Sequence, residues 1–319
     1  MPNLNIAFLG PEDLVKELGK KGTSTDISFY NLKKGDNTLT VIEPSRYPEK
    51  LSSLFYTVSL ADLAILVIDA LSAKLGEIIL MLNAARISDG AIILRNYIDK
   101  GQIAQLIKGT VLENYEDLPD DPVMLREWLW AKTAEKKPAR SSEKGSVPID
   151  HHFNVKGIGT VILGCVYEGA IHRHDQLTVH PLGKTAQIRS IQMHDDDAEE
   201  ADAGDRVGLA LKGIESDDLD RGFVLSADSR IISSLKISGT ADIIPYWPQP
   251  LKEQMVLYAG HWMQFIPCRV TSVHDDGDFR KPVLTLEFER ELIYLPGSVI
   301  ILHYLESEKL RIVGTITIS

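Results

Sequence analysis

The sequence predicts an α/β unit followed by two antiparallel β-barrels, and three observations predict it. Over roughly the first 130 residues, short apolar runs alternate with helical patterns. Residues 131–150, AKTAEKKPARSSEKGSVPID, are rich in Lys, Ser and Glu and carry two prolines, the composition of a linker. After residue 149 the texture changes to short alternating strands punctuated by glycine, with no helical pattern up to the C-terminus. These divide the chain into an α/β domain at 1–135, a linker at 136–148, and barrels at 149–232 and 233–319.

The elements follow in order. Apolar runs at 5–9, 38–42, 63–68 and 91–94 read as buried strands. Helical patterns at 47–60 and 74–85 lie between them, and another at 100–107 follows. Strands alternating with helices predict a doubly wound parallel sheet with helices on both faces. Beyond the linker, VKGIGTVILGCVYEGAIHRHDQLTV (155–179) is a series of hairpin-sized pieces, and AGDRVGLAL (203–211) repeats the pattern. The two barrels divide near residues 226–237.

Composition narrows the function classes. The 319 residues suffice for two or three cores, with 44% hydrophobic and 25% charged residues. No apolar run is long enough to span a membrane, so no membrane partner is expected. The start, MPNLNIAFLG, has neither a basic n-region nor a small-residue cleavage site, and the expected location is cytoplasmic. Cys165 and Cys268, the only cysteines, offer no disulfide framework or zinc spacing. A net charge of -11 argues against a nonspecific nucleic-acid coat and against DNA as a partner, while leaving room for a local basic groove.

The first segment raises the question of a nucleotide. NIAFLGPEDLVKELGKKGT (5–23) is a strand, a glycine and a helical stretch, the setting of a phosphate-binding loop. Such a loop needs a second glycine, so that backbone N–H groups can curl around phosphates, then a lysine and a hydroxyl for Mg²⁺. Counted from Gly10, those slots hold Val15, Lys16 and Glu17. Only Lys16 fits.

The second segment, FNVKGIGTVILGCVYEGAIHRHDQLTVHPLGKTAQIRSIQMHDDDAEEADAGDRVGLALKGIESDDLDRGFVLS (153–226), resembles domain II of translational GTPases. Within that group it is most similar to the selenocysteine-specific elongation factors, relatives of elongation factor Tu. VKGIGTV, EGAIHRHDQL, IRSIQMHDDD, AEEADAGDRVGLALKGI and DLDRG carry the likeness. LYAGHWMQFIPCRV (257–270) and LTLEFERELIYLPG (284–297) resemble domain III. The resemblance implies a P-loop-GTPase-like first domain with GTP or GDP as its ligand. ADLAILVIDA (61–70) is similar to the strand after the second switch. ILRNYIDK (93–100) sits where the guanine-reading motif belongs, with Asn96 and Asp99 in place and Tyr97 where the family has lysine. A carboxylate at Asp99 can accept both N–H donors of guanine; alternatively Asp99 caps the following helix.

Other motifs depart from the family. Its D-x-P-G-H stretch reads Glu43-Pro44-Ser45-Arg46-Tyr47, and the segment before it is too short for an ordinary first switch. Thr23, Ser24 and Thr25 are the hydroxyls available there. GTP hydrolysis needs these parts together, so hydrolysis is expected to be lost, with no catalytic residue and no firmly expected cofactor.

The remaining motifs read as structure. The H-x-H pair His172 and His174 would place both rings on one strand face, but no third metal ligand accompanies it. The run Asp195-Asp196-Asp197 reads as a solvated turn, and the barrel glycines as corners.

In elongation factors of this type, domain II cradles the aminoacylated end of tRNA and domain III grips its stems. The resemblance therefore makes Lys156, Arg173, Lys184, Arg189, Arg206 and Arg221 candidates for tRNA phosphates. Three functions are compatible with the sequence. One is a factor that carries an aminoacyl-tRNA, with an unusual amino acid as one option, to the ribosome. The second is a pseudo-GTPase protein-interaction module, and the third a working GTPase with an unconventional phosphate site.

Overall fold

The computed structural model describes residues 3–35, 37–136, 144–307 and 310–318. The chain divides into two units, Met1–Pro138 and Ala139–Ser319. Of the expected linker, residues 137–143 lie outside the described residues. The rest of the 131–150 stretch is helix up to residue 135 and strand from residue 146.

In the first unit the elements run β1 (Asn3–Leu9), α1 (Glu12–Leu18), β2 (Lys20–Ser24), β3 (Ser28–Lys34), β4 (Asn37–Glu43) and α2 (Leu51–Ser59). They continue with β5 (Leu63–Ile68), α3 (Ala73–Ala84), β6 (Gly90–Leu94), α4 (Lys100–Ile107), β7 (Glu116–Leu118) and α5 (Pro122–Glu135). One seven-stranded sheet has the order β2-β3-β4-β1-β5-β6-β7. β4, β1, β5, β6 and β7 pair in parallel, as the alternation predicts. β2 and β3 correct that prediction: they run antiparallel and extend the sheet as a hairpin from β4. The helix expected at 47–60 begins only at Leu51, after a turn containing Pro44 and Pro48.

Every residue of β1 and of β5 is buried, which is why both read as unbroken apolar runs. On one face, Leu14, Val15 and Leu18 of α1 and Leu125 and Leu129 of α5 pack on Ile6, Phe8, Val41 and Ile65. α2 packs on β1, β4 and α3 and buries Leu51, Leu54, Phe55 and Val58. Each such side chain contributes about 1.5–3 kcal/mol. Polar caps start the helices: Ser72 accepts from the Leu75 N–H, and Asp121 from those of Val123 and Met124 with Pro122 behind it.

The second unit holds two closed six-stranded antiparallel barrels. The first contains β8 (Ser146–Val155), β9 (Gly159–Cys165), β10 (Ala170–His172), β11 (Gln176–His180) and β12 (Lys184–Met193). β13 (Asp196–Ala198), β14 (Glu200–Asp202), β15 (Arg206–Lys212) and β16 (Val224–Ser226) complete it. The ring runs β11-β16-β8-β9-β15-β12 and closes through β11 and β12, with β10 and β14 paired beside it. The second barrel comprises β17 (Ile232–Ile243), β18 (Val256–His261), β19 (Gln264–His274), β20 (Val283–Tyr294), β21 (Val299–His303) and β22 (Ile312–Ile318). Its order is β17-β20-β19-β18-β21-β22, closed on itself. Closure between β17 and β22 demands two glycines. A Cβ on Gly239 would collide with the Thr317 carbonyl, and one on Gly314 with that of Asp242.

The barrels meet through a small apolar cluster of Val224, Trp262 and Ile293, with the Tyr167 ring 5.2 Å from Trp262. Among the described residues, no helix is long and apolar enough to cross a membrane.

Candidate functional site

Ligands of open α/β sheets bind beyond the carboxyl ends of the parallel strands. There, β1 passes into α1 through only Gly10 and Pro11. Two residues cannot wrap a phosphate, and the position where a cradle glycine would fall, Val15, is fully buried in the core. Gly10 serves packing, since a Cβ on it would lie 2.6 Å from Val67 Cγ2. Lys16 sits on the exposed face of α1, paired 3.0 Å from Glu12.

Charges cross-link this edge. Arg95, following β6, donates from Nε and Nη2 to Asp120 at 2.8 and 2.7 Å, and from Nη1 to Asp13 at 3.2–3.3 Å. Asp13 lies in the first turn of α1, so the end of the helix facing this edge carries carboxylates. Those carboxylates repel an anion that a bare helix N-terminus would attract. Asn96 donates from Nδ2 to the Asp69 carbonyl at 3.0 Å. Asp99 is the N-cap of α4, in a capping box with Gln102. Asn96 and Asp99 thus have internal hydrogen bonds, which the alternative reading of Asp99 as a cap requires.

The β2–β3 hairpin and the turn between β4 and α2 are tied to one another. The short stretch before β4 forms the β2–β3 hairpin. Ser28 in β3 shares a hydroxyl hydrogen bond with Ser45 at 2.6 Å, and the Arg46 N–H donates to the Asp26 carbonyl at 3.2 Å. Tyr30 donates to Glu43 at 3.0 Å, and burial raises the Glu43 carboxyl above its ordinary range. Tyr47 donates to Glu77 at 3.0 Å and to the Lys74 carbonyl at 3.1 Å. Of the three hydroxyl candidates, Ser24 is bonded to Ser28 and Thr25 to Asp26, and Thr23 lies within β2.

In the first barrel the six basic candidates separate into three places. Lys156 is exposed in the turn joining β8 to β9, and Arg189 donates to the Ile158 carbonyl of that turn at 3.0 Å. Arg173 donates to the Arg189 carbonyl at 3.1 Å and to Glu199 at 2.9 Å. These three form one basic edge. Lys184 pairs with Asp218 at 2.8 Å in a different place.

Arg206 and Arg221 converge on Asp150, a residue that sequence reasoning did not single out. Asp150 is fully buried at an irregularity between β8 and β9. Its carboxylate accepts from both terminal nitrogens of Arg206, and His151 Nδ1 lies 2.6 Å from its Oδ1. Arg221 donates from Nε to the Asp150 carbonyl at 2.9 Å. Burial alone would raise the Asp150 carboxyl, but Arg206 and His151 together hold it well below the usual carboxylate range. With only 11% of its side chain exposed, Arg206 is not the surface cation the sequence suggests. The Arg206 guanidinium pairs with the carboxylate, while Arg221 holds the main chain of the same residue. His174 lies in a turn after β10 with φ +74, so the H-x-H rings do not share a strand face.

An α/β domain followed by two closed antiparallel barrels is the architecture of the translation elongation factor class. The chain belongs to the elongation factor Tu and selenocysteine-specific elongation factor family. The family model for elongation factor Tu domain 2 matches residues 159–226. Uncharacterized protein MJ0325 of Methanocaldococcus jannaschii is 37% identical over 98% of this chain and 99% of its own length. The selenocysteine-specific elongation factor of the same organism is 25% identical over 89% of this chain, which spans 65% of that factor's length. The crystal structure of the factor SelB from Methanococcus maripaludis with the GTP analogue GppNHp superposes with a TM-score of 0.84 at 22% identity. That superposition covers 100% of this chain and 79% of the other; the apo form gives 0.81 over 99% and 79%. The function is translation elongation factor-like.

Proposed function

We propose that this protein binds the aminoacylated 3′ end of a tRNA on its first barrel, for use at the ribosome, and that it does so without a GTP cycle. The observation that carries the reading is a contrast. The nucleotide edge has only a two-residue β1–α1 loop, with Arg95 held between Asp13 and Asp120 beside it, while the first barrel exposes Lys156, Arg173 and Arg189 along one edge. In this reading Lys156, Arg173 and Arg189 neutralise tRNA phosphates, and the Asp150–Arg206 cluster with His151 faces the aminoacyl group.

Two measurements test the two halves. Calorimetry of the full chain with GDP and with GTP plus Mg²⁺ should show no binding, and ribosomes should stimulate no phosphate release. Saturable GTP binding that is lost in Lys16→Ala would sink the nucleotide-free reading. Should a guanine nucleotide bind after all, Asp99→Asn should weaken it by about 1.5–3 kcal/mol, since a charged two-bond acceptor is lost.

A gel-shift series should show aminoacyl-tRNA bound in preference to uncharged tRNA, with affinity falling steeply as salt rises. Arg173→Ala should weaken that complex by about 1 kcal/mol. Absence of any salt-sensitive complex would favour the second reading, a protein-interaction module without RNA cargo. One observation supports that reading: Arg173 and Lys184 are already paired with Glu199 and Asp218.

A further inference from the structure

The loops at the carboxyl edge of the α/β sheet hold one residue that the fold does not use. Asn96 and Tyr97 both adopt left-handed backbone, with φ +54 and +60. They occupy the centre of a turn closed by the Ile98 N–H on the Arg95 carbonyl at 3.0 Å. Such a turn accepts Asn at its first central position and prefers Gly at the second. Tyr97 stands in the second, strained as only a bulky residue there is, and its side chain is fully exposed. It covers no core. Strain kept with no packing in return points to a use outside the chain.

Its surroundings indicate the partner. Leu71 after β5 and Val123 and Met124 at the start of α5 are also exposed, on the loops either side of Tyr97 in the strand order. Asn96 to Asp69 and Arg95 to Asp120 tie those three loops together. Across loop residues 10–13, 69–73, 95–99 and 119–124, Arg95 is the sole cation, and Asp13 and Asp120 already hold it. Asp69, Asp99 and Asp121 add further carboxylates. Phosphates of RNA would meet repulsion here. A protein with Lys and Arg around an apolar socket is complementary in both respects.

The geometry points to this edge as a docking surface for a basic protein, with the Tyr97 ring as its anchor. It is independent of tRNA binding on the first barrel. The test uses the full chain with a photo-crosslinking side chain, Tyr97→benzoylphenylalanine, and the same replacement of exposed Tyr246 as a control. Each is irradiated with RNA-free total ribosomal protein and, separately, with total tRNA. The expected result is one basic protein crosslinked from position 97 and not from 246. That protein, once purified, should bind the full chain in calorimetry at least tenfold more weakly when Tyr97→Ala is introduced. It should also bind more weakly in 0.5 M than in 0.05 M salt. Tyr97→Gly, which suits the turn, should lose the same affinity while the Tm stays or rises, separating docking from folding. No crosslink from 97, a crosslink to tRNA, equal crosslinking from both positions, or an affinity within twofold of wild type for Tyr97→Ala overturns the proposal.

Discussion

Asp150→Ala should destabilise the first barrel by about 3–5 kcal/mol, as measured by denaturant unfolding at pH 7. The carboxylate is fully buried, and both terminal nitrogens of Arg206 donate to it. Removing it takes the paired carboxylate from a guanidinium that is almost wholly out of water. The loss comes from stranding that charge more than from the attraction forgone. Replacing both members, Asp150→Leu with Arg206→Met, should therefore recover much of the stability, because an apolar pair of similar volume carries no desolvation cost. A loss below 1 kcal/mol for Asp150→Ala would show that water reaches the pair. The pH dependence has a definite sign. The folded Asp150 pKa lies below its unfolded value of about 3.9. The pair's contribution is thus complete above that value and declines as the pH falls below it.

The second barrel should weaken earlier in an acid titration. His261 and His303 are both buried, and burial pushes each imidazole down to about 4 from an ordinary 6.5. In the fold they stay neutral; in the unfolded chain they take up protons below about 6.5. Stability is therefore full above pH 6.5 and declines as the pH falls towards 4. At about 1.4 kcal/mol per pH unit, the loss reaches about 3 kcal/mol for each histidine. Unfolding free energies measured from pH 7 to 4 should fall along this course. His261→Gln with His303→Gln should flatten the decline, at some loss of stability at pH 7. An unchanged slope in that double variant would mean the acid loss originates in carboxylates.

How much of this was legible in the sequence depends on where each residue's environment is set. The runs at 63–68 and 91–94 announce themselves because parallel strands buried on both faces need apolar residues throughout. β2 gave no such signal: KKGTS is almost wholly exposed, and its pairing is fixed by β3 rather than by its own pattern. The barrels were readable through glycines and ordered motifs that strand closure requires. The two site regions were readable only in part. That Gly10 lacks a phosphate loop follows from counting along the sequence. That Lys156, Arg173 and Arg189 share one edge depends on the β8–β9 turn meeting β12, a contact between residues over thirty positions apart. Arg206 counts as a surface candidate only through the resemblance to domain II. Its burial depends on Asp150, which closes against it across β8 and β15 from 56 positions away. The one local clue was a carboxylate directly after the apolar Ile149 in the middle of a barrel strand.

The polarity that concealed β2 also has a consequence for how the molecule behaves among copies of itself. β2 is the outermost strand of a seven-stranded sheet, so among the described residues no strand pairs with the other side of its backbone. An open strand edge is a template on which another chain can be added, the first step of edge-to-edge aggregation. Here it presents Lys20, Lys21 and Gly22, and its register breaks between Lys21 and Ser24. A second β2 would bring lysines against lysines along a broken ladder. The opposite edge, β7, is only three residues long. Both ends of the sheet are thus closed to growth, one by charge and irregularity and the other by brevity, and the sheet stays finite.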